Sequence, residues 1–304
     1  MNKIAIYLLK GLMWALGSLP LGFNYAVGLV VSWFAEHMGY RRDVVLTNLS
    51  RSFPSATYGQ VRKMAHAFYQ SLGQIVAECL WFGACPRDGR RFRRSGMCTF
   101  TNVGELNRLH EGGRSVMLLA GHICNWELIG GFCQFDTLGV PVSFAESDTM
   151  VSYKRMKSPV WDRVMKDNRT ALIQNPDRYA NLMETSSLVR YIAANHDSGK
   201  LFYMIADQYP YKGASGMDID FMHQPTKTMT AAGRLAARYA MPVVYVGTRR
   251  VSRGHYEYTF HTIAEDASKL SLEEIYTSFY DLLQQDIEAR PEVYLWSHKR
   301  WKKR

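Results

Sequence analysis

Ser115-Val116-Met117-Leu118-Leu119-Ala120-Gly121-His122-Ile123-Cys124-Asn125-Trp126-Glu127 is the stretch on which the reading of this chain turns. Residues 115–120 form an apolar run that reads as a buried strand. Gly121 permits a sharp exit, and Asn125 stands where it can cap a helix running through Trp126, Glu127, Leu128 and Ile129. His122 then sits at the carboxyl end of a strand, where open α/β sheets collect their chemistry. On one continuous helix a five-residue spacing would turn His122 and Glu127 about 140° apart, but across a strand-to-helix junction the two can meet. The carboxylate would accept the proton of one imidazole nitrogen and leave the other as a base for a hydroxyl near neutral pH. A packed histidine followed by a helix-capping glutamate produces the same pattern without chemistry.

The chain has 304 residues, 47% of them hydrophobic, enough to bury a large core as one α/β domain or two; no Gly/Ser-rich or Pro-rich linker, repeat or low-complexity block divides it. A formal net charge of +10 predicts attraction to polyanions: nucleic acid, anionic lipid or an acidic carrier protein. No nucleic-acid-binding motif accompanies the charge. The cysteines, Cys79, Cys85, Cys98, Cys124 and Cys133, are odd in number and contain no CxxC pair, which argues against a disulfide framework or a zinc site and for a reducing compartment. Cys124, inside the His–Glu segment, is a candidate nucleophile set against the commoner role of a small buried cysteine.

Gly11 to Phe34 contains no Asp, Glu, Lys, Arg or His, so this run of 24 residues is long enough to cross a bilayer if helical. Pro20 and Asn24 interrupt it, and two shorter helices at the interface, or a buried helix pair, account for the same residues. The expectation is a membrane-anchor segment over 1–38, helix or helix pair, followed by a catalytic domain over 39–304. The distribution of Lys3, Lys10, Arg41, Arg42 and Arg51 slightly favours a cytoplasmic body. Two basic groups interleaved with aromatic residues suit an anionic headgroup layer: Arg87, Arg90, Arg91, Arg93 and Arg94 around Phe92, and Lys299, Arg300, Lys302, Lys303 and Arg304 beside Trp296 and Trp301. Solvated charged surface is the plainer reading of both.

The remainder alternates between helical and strand patterns. Thr57-Tyr58-Gly59-Gln60 forms a capping box before a long helical period, and Ser271 with Glu274 opens another. Strands are predicted at Ser115–Ala120, Val140–Ala145, Thr170–Ile173, Leu201–Ala206, Pro242–Thr248 and Tyr256–Ile263. The fold class is therefore α/β, a central mixed sheet covered by helices. Asp207 and Gln208 leave the run 201–206 at another strand exit, suited either to ordering substrate hydroxyls or to capping a loop. Arg234 and Arg238, one turn apart, suit phosphate or a solvated helix face.

Four motifs in this order resemble the secondary lauroyl/myristoyl acyltransferases of lipid A biosynthesis, within the wider lysophospholipid acyltransferase-like group. They are Tyr40-Arg41-Arg42-Asp43-Val44-Val45-Leu46-Thr47-Asn48-Leu49 with Phe53-Pro54, Gly121-His122 through Asn125-Trp126-Glu127, Asp207-Gln208 with Pro210, and Pro291-Glu292 through Trp296-Ser297-His298-Lys299-Arg300-Trp301-Lys302. The resemblance runs nearly end to end. It implies a glycerolipid-acyltransferase-like fold and an enzyme on the cytoplasmic face of the inner membrane. That enzyme would move a fatty acyl chain from acyl carrier protein or acyl-CoA to a hydroxyl of a lipid A precursor, with no metal or organic cofactor. By the same resemblance His122 is the general base of an H-x4-[DE] motif and Glu127 its acidic partner. Arg169 falls near a family arginine that could hold a phosphate or the developing oxyanion.

Overall fold

The computed structural model describes residues 2–128, 141–210 and 216–301. In chain order the first helices are α1 (Asn2–Ser18), α2 (Leu21–His37), α3 (Arg42–Ser52), α4 (Tyr58–Gly83) and α5 (Arg90–Ser95). Then follow β1 (Cys98–Phe100), α6 (Val103–His110), β2 (Val116–Ala120), β3 (Thr149–Tyr153), α7 (Pro159–Arg169), β4 (Leu182–Glu184), α8 (Leu188–Asn195) and β5 (Leu201–Ile205). A hairpin, β6 (Gly216–Phe221) and β7 (Gln224–Met229), precedes α9 (Ala231–Arg238), β8 (Val243–Ser252), β9 (His255–Ala264) and α10 (Leu272–Ala289).

Seven strands form one sheet in the order β1-β9-β8-β2-β5-β3-β4; all neighbours run parallel except β8 and β9, so the expected mixed sheet is present. Its centre is apolar at successive positions because both faces are covered: every residue of β2 is buried, as are Leu201 to Met204 of β5. Parallel pairing sets Ala120 beside Ile205, which aligns the exits of β2 and β5.

Both capping boxes form. Thr57 accepts from the Gln60 backbone at the head of α4, and Ser271 does the same from Glu274 at the head of α10. The predicted strand at 170–173 is a turn, and 141–145 is not a strand, while Val140 lies outside the described residues. The strands β1, β3, β4, β6 and β7 went unpredicted; β1, β3 and β4 are three to five residues long, too short for alternation to register.

The expected membrane helix is corrected. No helix among the described residues is long and apolar enough to cross a membrane. Pro20 explains the break: it has no N–H to give and disfavours helical backbone in the residue before it, so the uncharged run divides at Leu19-Pro20 into α1 and α2. One face of α2 packs against α4, where Gly28 meets Gly73 so closely that a Cβ on either would come within 2.4 Å of the other's carbonyl oxygen. α1 lies along α4 and α7, with Lys10 paired at 2.7 Å to the buried Asp167. The outer faces keep Tyr7, Leu8, Leu12, Trp14, Val30 and Trp33 more than half exposed.

Candidate active site

His122 leaves β2 where Gly121 passes under α10; a Cβ at Gly121 would lie 2.6 Å from Leu283 Cδ1, so any larger residue there would have to displace the Leu283 side chain. Cys124 then turns the chain through left-handed backbone, φ 56°. This turn is clamped by the carboxyl-terminal motif: Leu295 N–H donates to the His122 carbonyl at 3.1 Å, and Cys124 N–H to the Val293 carbonyl at 2.9 Å. The clamp is held in turn by the motif at 40–49, since Arg41 donates to the Ser297 carbonyl and Asn48 Nδ2 to those of Trp296 and His298. Arg300, read from sequence as surface charge, is interior, donating to the Lys227 carbonyl and the Tyr280 hydroxyl. Lys302 to Arg304 lie outside the described residues.

His122 Nδ1 lies 2.6 Å from Asp207 Oδ1, and the His122 backbone N–H donates to Asp207 Oδ2 at 3.1 Å. The hydrogen-bond partner of the imidazole is thus Asp207, at the exit of β5, and not Glu127. Gln208 Nε2 donates to His122 Nε2 at 2.9 Å, so the proton belongs on Nδ1 and Nε2 carries the lone pair. Burial opposes ionisation of Asp207, but the charge and hydrogen bonds of His122 outweigh it and hold the carboxyl below the usual carboxylate range.

Glu127 is in the same cleft with a different partner. Its carboxylate takes a two-pronged grip from Arg169 at the end of α7, Nε to Oε2 at 2.5 Å and Nη2 to Oε1 at 2.7 Å, and accepts from the Trp126 indole at 3.1 Å. Burial again opposes ionisation, and the Arg169 bonds and charge prevail, so the pKa is lowered. Residues 126–128 form one 3-10 turn, opened by Asn125, whose Oδ1 accepts the Glu127 N–H at 3.3 Å. The predicted helix start is therefore correct in its cap; Ile129 lies outside the described residues. The Trp126 ring meets His122 edge-on at 5.4 Å.

His122, Trp126, Glu127, Arg169 and Gln208 line a cleft of about 260 Å³, together with Lys154, Tyr209 and the apolar Val151, Leu182, Ile205 and Met229. Arg234 is exposed on α9, bonded to Thr230 Oγ1, and does not line this cleft; Arg238 lies over the ring of Tyr239. Cys124 is unsuited to attack, because burial pushes its thiol up to about 12 and Sγ is bonded to the Thr248 carbonyl. Cys79, Cys85 and Cys98 are not in disulfides among the described residues, and Cys133 lies outside them. Among the described residues no group of three His, Cys, Asp or Glu side chains could hold a metal ion.

The family model described as bacterial lipid A biosynthesis acyltransferase matches residues 1–303. The chain belongs to this family. It is an acyltransferase family, and its members act in lipid A biosynthesis. A comparison with curated proteins gave no match. The sequence motifs that suggested the family turn out to be one connected structure: 40–49 holds 296–298, and the residues just before these hold the His122 turn. Sequence reasoning missed Asp207 as the histidine's partner, although its position at a strand exit was the available signal.

Proposed function

We propose that the protein transfers a fatty acyl chain from a thioester, acyl carrier protein or acyl-CoA, to a hydroxyl of a lipid A precursor, with His122 as general base and Asp207 as its partner. The observation that carries this reading is the 2.6 Å bond from Nδ1 to Asp207, which commits the ring proton there and leaves Nε2 as the acceptor in the cleft.

The acceptor hydroxyl would take the position now used by the Gln208 amide. Its proton passes to Nε2 as its oxygen attacks the thioester carbonyl; the new C–O bond forms, the C–S bond breaks, and the imidazolium returns the proton to the departing sulfur. The ionised Asp207 stabilises the imidazolium. Arg169, held by Glu127, supplies positive charge toward the oxyanion. Val151, Leu182, Ile205 and Met229 suit an acyl chain, and Lys154 suits a phosphate of donor or acceptor.

The exposed aromatic and aliphatic side chains of α1 and α2, with a net charge of +10, fit contact with an anionic lipid surface, and no helix among the described residues is long and apolar enough to span it. We propose the cytoplasmic face of the inner membrane as its place of work. The test is incubation of purified protein with acyl carrier thioester and a lipid A precursor, read by mass spectrometry. Wild type yields a product heavier by one acyl group and His122→Ala yields none; equal product from both overturns the assignment.

A further inference from the structure

A carboxylate only accepts hydrogen bonds, so the groups around a buried one must present N–H or O–H. Glu78 on α4 is fully buried and has no ion pair among the described residues; burial pushes its carboxyl above the usual carboxylate range, and the three hydrogen bonds it accepts work against that and favour the ionised form. Its Oε1 accepts from the Tyr25 hydroxyl of α2 at 2.9 Å; Oε2 accepts from the Tyr256 hydroxyl of β9 at 2.7 Å and from Asn125 Nδ2 at 2.8 Å. Two elements distant in sequence, α2 and β9, thus converge on a carboxylate of α4, and the fourth participant is the turn between His122 and Glu127.

With Nδ2 committed to Glu78, Asn125 must direct Oδ1 the other way, where it accepts the Glu127 N–H at 3.3 Å and the Cys79 thiol at 3.8 Å. Turning the amide over would set its carbonyl against the carboxylate and its NH2 against the Glu127 N–H. Both contacts would be repulsive, and each leaves buried groups unsatisfied. Glu78 therefore decides which end of Asn125 faces Glu127, and so the turn from which the Glu127 carboxylate reaches Arg169.

We propose that Glu78 is a positioning residue for acyl transfer, acting through Asn125 to hold Glu127 in the Arg169 fork. The inference rests on the reading of the cleft given above. The test reverses the direction of one hydrogen bond. Asn125→Asp opposes two carboxylates, whereas Glu78→Gln/Asn125→Asp restores a donor facing an acceptor and keeps an oxygen for the Glu127 N–H. For Asn125→Asp, kcat should fall about 100-fold with KM nearly unchanged, a loss typical of a misplaced catalytic group, and the double variant should recover most of it.

A second readout does not depend on activity. The Trp126 indole donates to Glu127 Oε1, so its N–H resonance, identified by its loss in Trp126→Phe, should move in Asn125→Asp and return in the double variant. If Asn125→Asp fails to fold, Glu78→Gln and Glu78→Met provide the comparison: the amide still accepts from Asn125 and should keep kcat within about fivefold of wild type, whereas the thioether should not. No recovery in a folded double variant, or a Trp126 shift with kcat unchanged, overturns the proposal. Wild-type protein that transfers no acyl group defeats the functional reading instead, and the Trp126 resonance still reports on the linkage.

Discussion

The two charged corners of the cleft are made of different materials. His122 and Asp207 stand at the ends of neighbouring parallel strands, with Ala120 paired to Ile205 just behind them, and Asp207 grips both the ring and the backbone of the histidine. Glu127 and Arg169 stand on a 3-10 turn and a helix end, fastened by side chains: Glu78 through Asn125 on one side, Asn168 to the Cys79 carbonyl and Lys10 to Asp167 on the other. Paired backbone limits drift, whereas a chain of side-chain latches transmits every loss along it. The carboxylate nearest the histidine in sequence is thus the one whose placement depends on the most distant residues.

The largest effects separate the two carboxylates. Asp207→Asn keeps the shape of the strand corner but removes the charge that fixes the tautomer, and kcat should fall about 1,000-fold or more. Glu127→Gln loosens Arg169 and should cost about 10- to 100-fold. Steady-state kinetics on both variants checks the order, and a greater loss for Glu127→Gln would make it the partner of the base after all.

A smaller effect sharpens the strand side. Burial pushes the His298 imidazole down to about 4, with Asp207 pulling it upward and His122, Arg300 and Arg41 adding to the depression. Between pH 6.5 and about 4 the unfolded chain takes a proton that the folded protein refuses. The stability His298 allows is therefore complete above its unfolded value of 6.5 and is lost as pH falls toward 4. Thermal denaturation of His298→Gln should show a shallower decline over that range than wild type, by a few degrees; parallel curves would remove this account.

The smallest effect belongs to the latch on α7. Lys10 is 39% exposed and Asp167 retains Arg163 and Tyr179 as partners, so Lys10→Met should cost no more than about 1 kcal/mol of stability and lower kcat only a few-fold. A loss in kcat approaching that of Glu127→Gln would mean that α1 governs the Arg169 corner more firmly than its contacts imply.

Much of this architecture is legible without coordinates. The apolar runs at 115–120 and 201–206 declare strands buried on both faces, the boxes at Thr57 and Ser271 declare helix starts, and His122 and Asp207 each stand one or two residues past a run that can hold no polar group. Other readings failed for definite reasons. Arg234 carries the right charge on the wrong face of α9, and Arg300 is interior because the Lys227 carbonyl and the Tyr280 hydroxyl accept its donors. The uncharged run 11–34 is apolar enough for a membrane in composition, yet Pro20 makes it two helices of 17 residues.

In the long apolar runs and at the capping boxes, then, local structure was determined by the order of residues alone: where these segments extend or coil, where each is capped, and where a polar side chain must leave the core. Which carboxylate meets the imidazole was decided only by tertiary structure. A hydrogen bond acts over about 3 Å of space and is indifferent to distance along the chain. Parallel pairing brings a residue 85 positions away against His122 Nδ1, while the one five positions along is turned to an arginine.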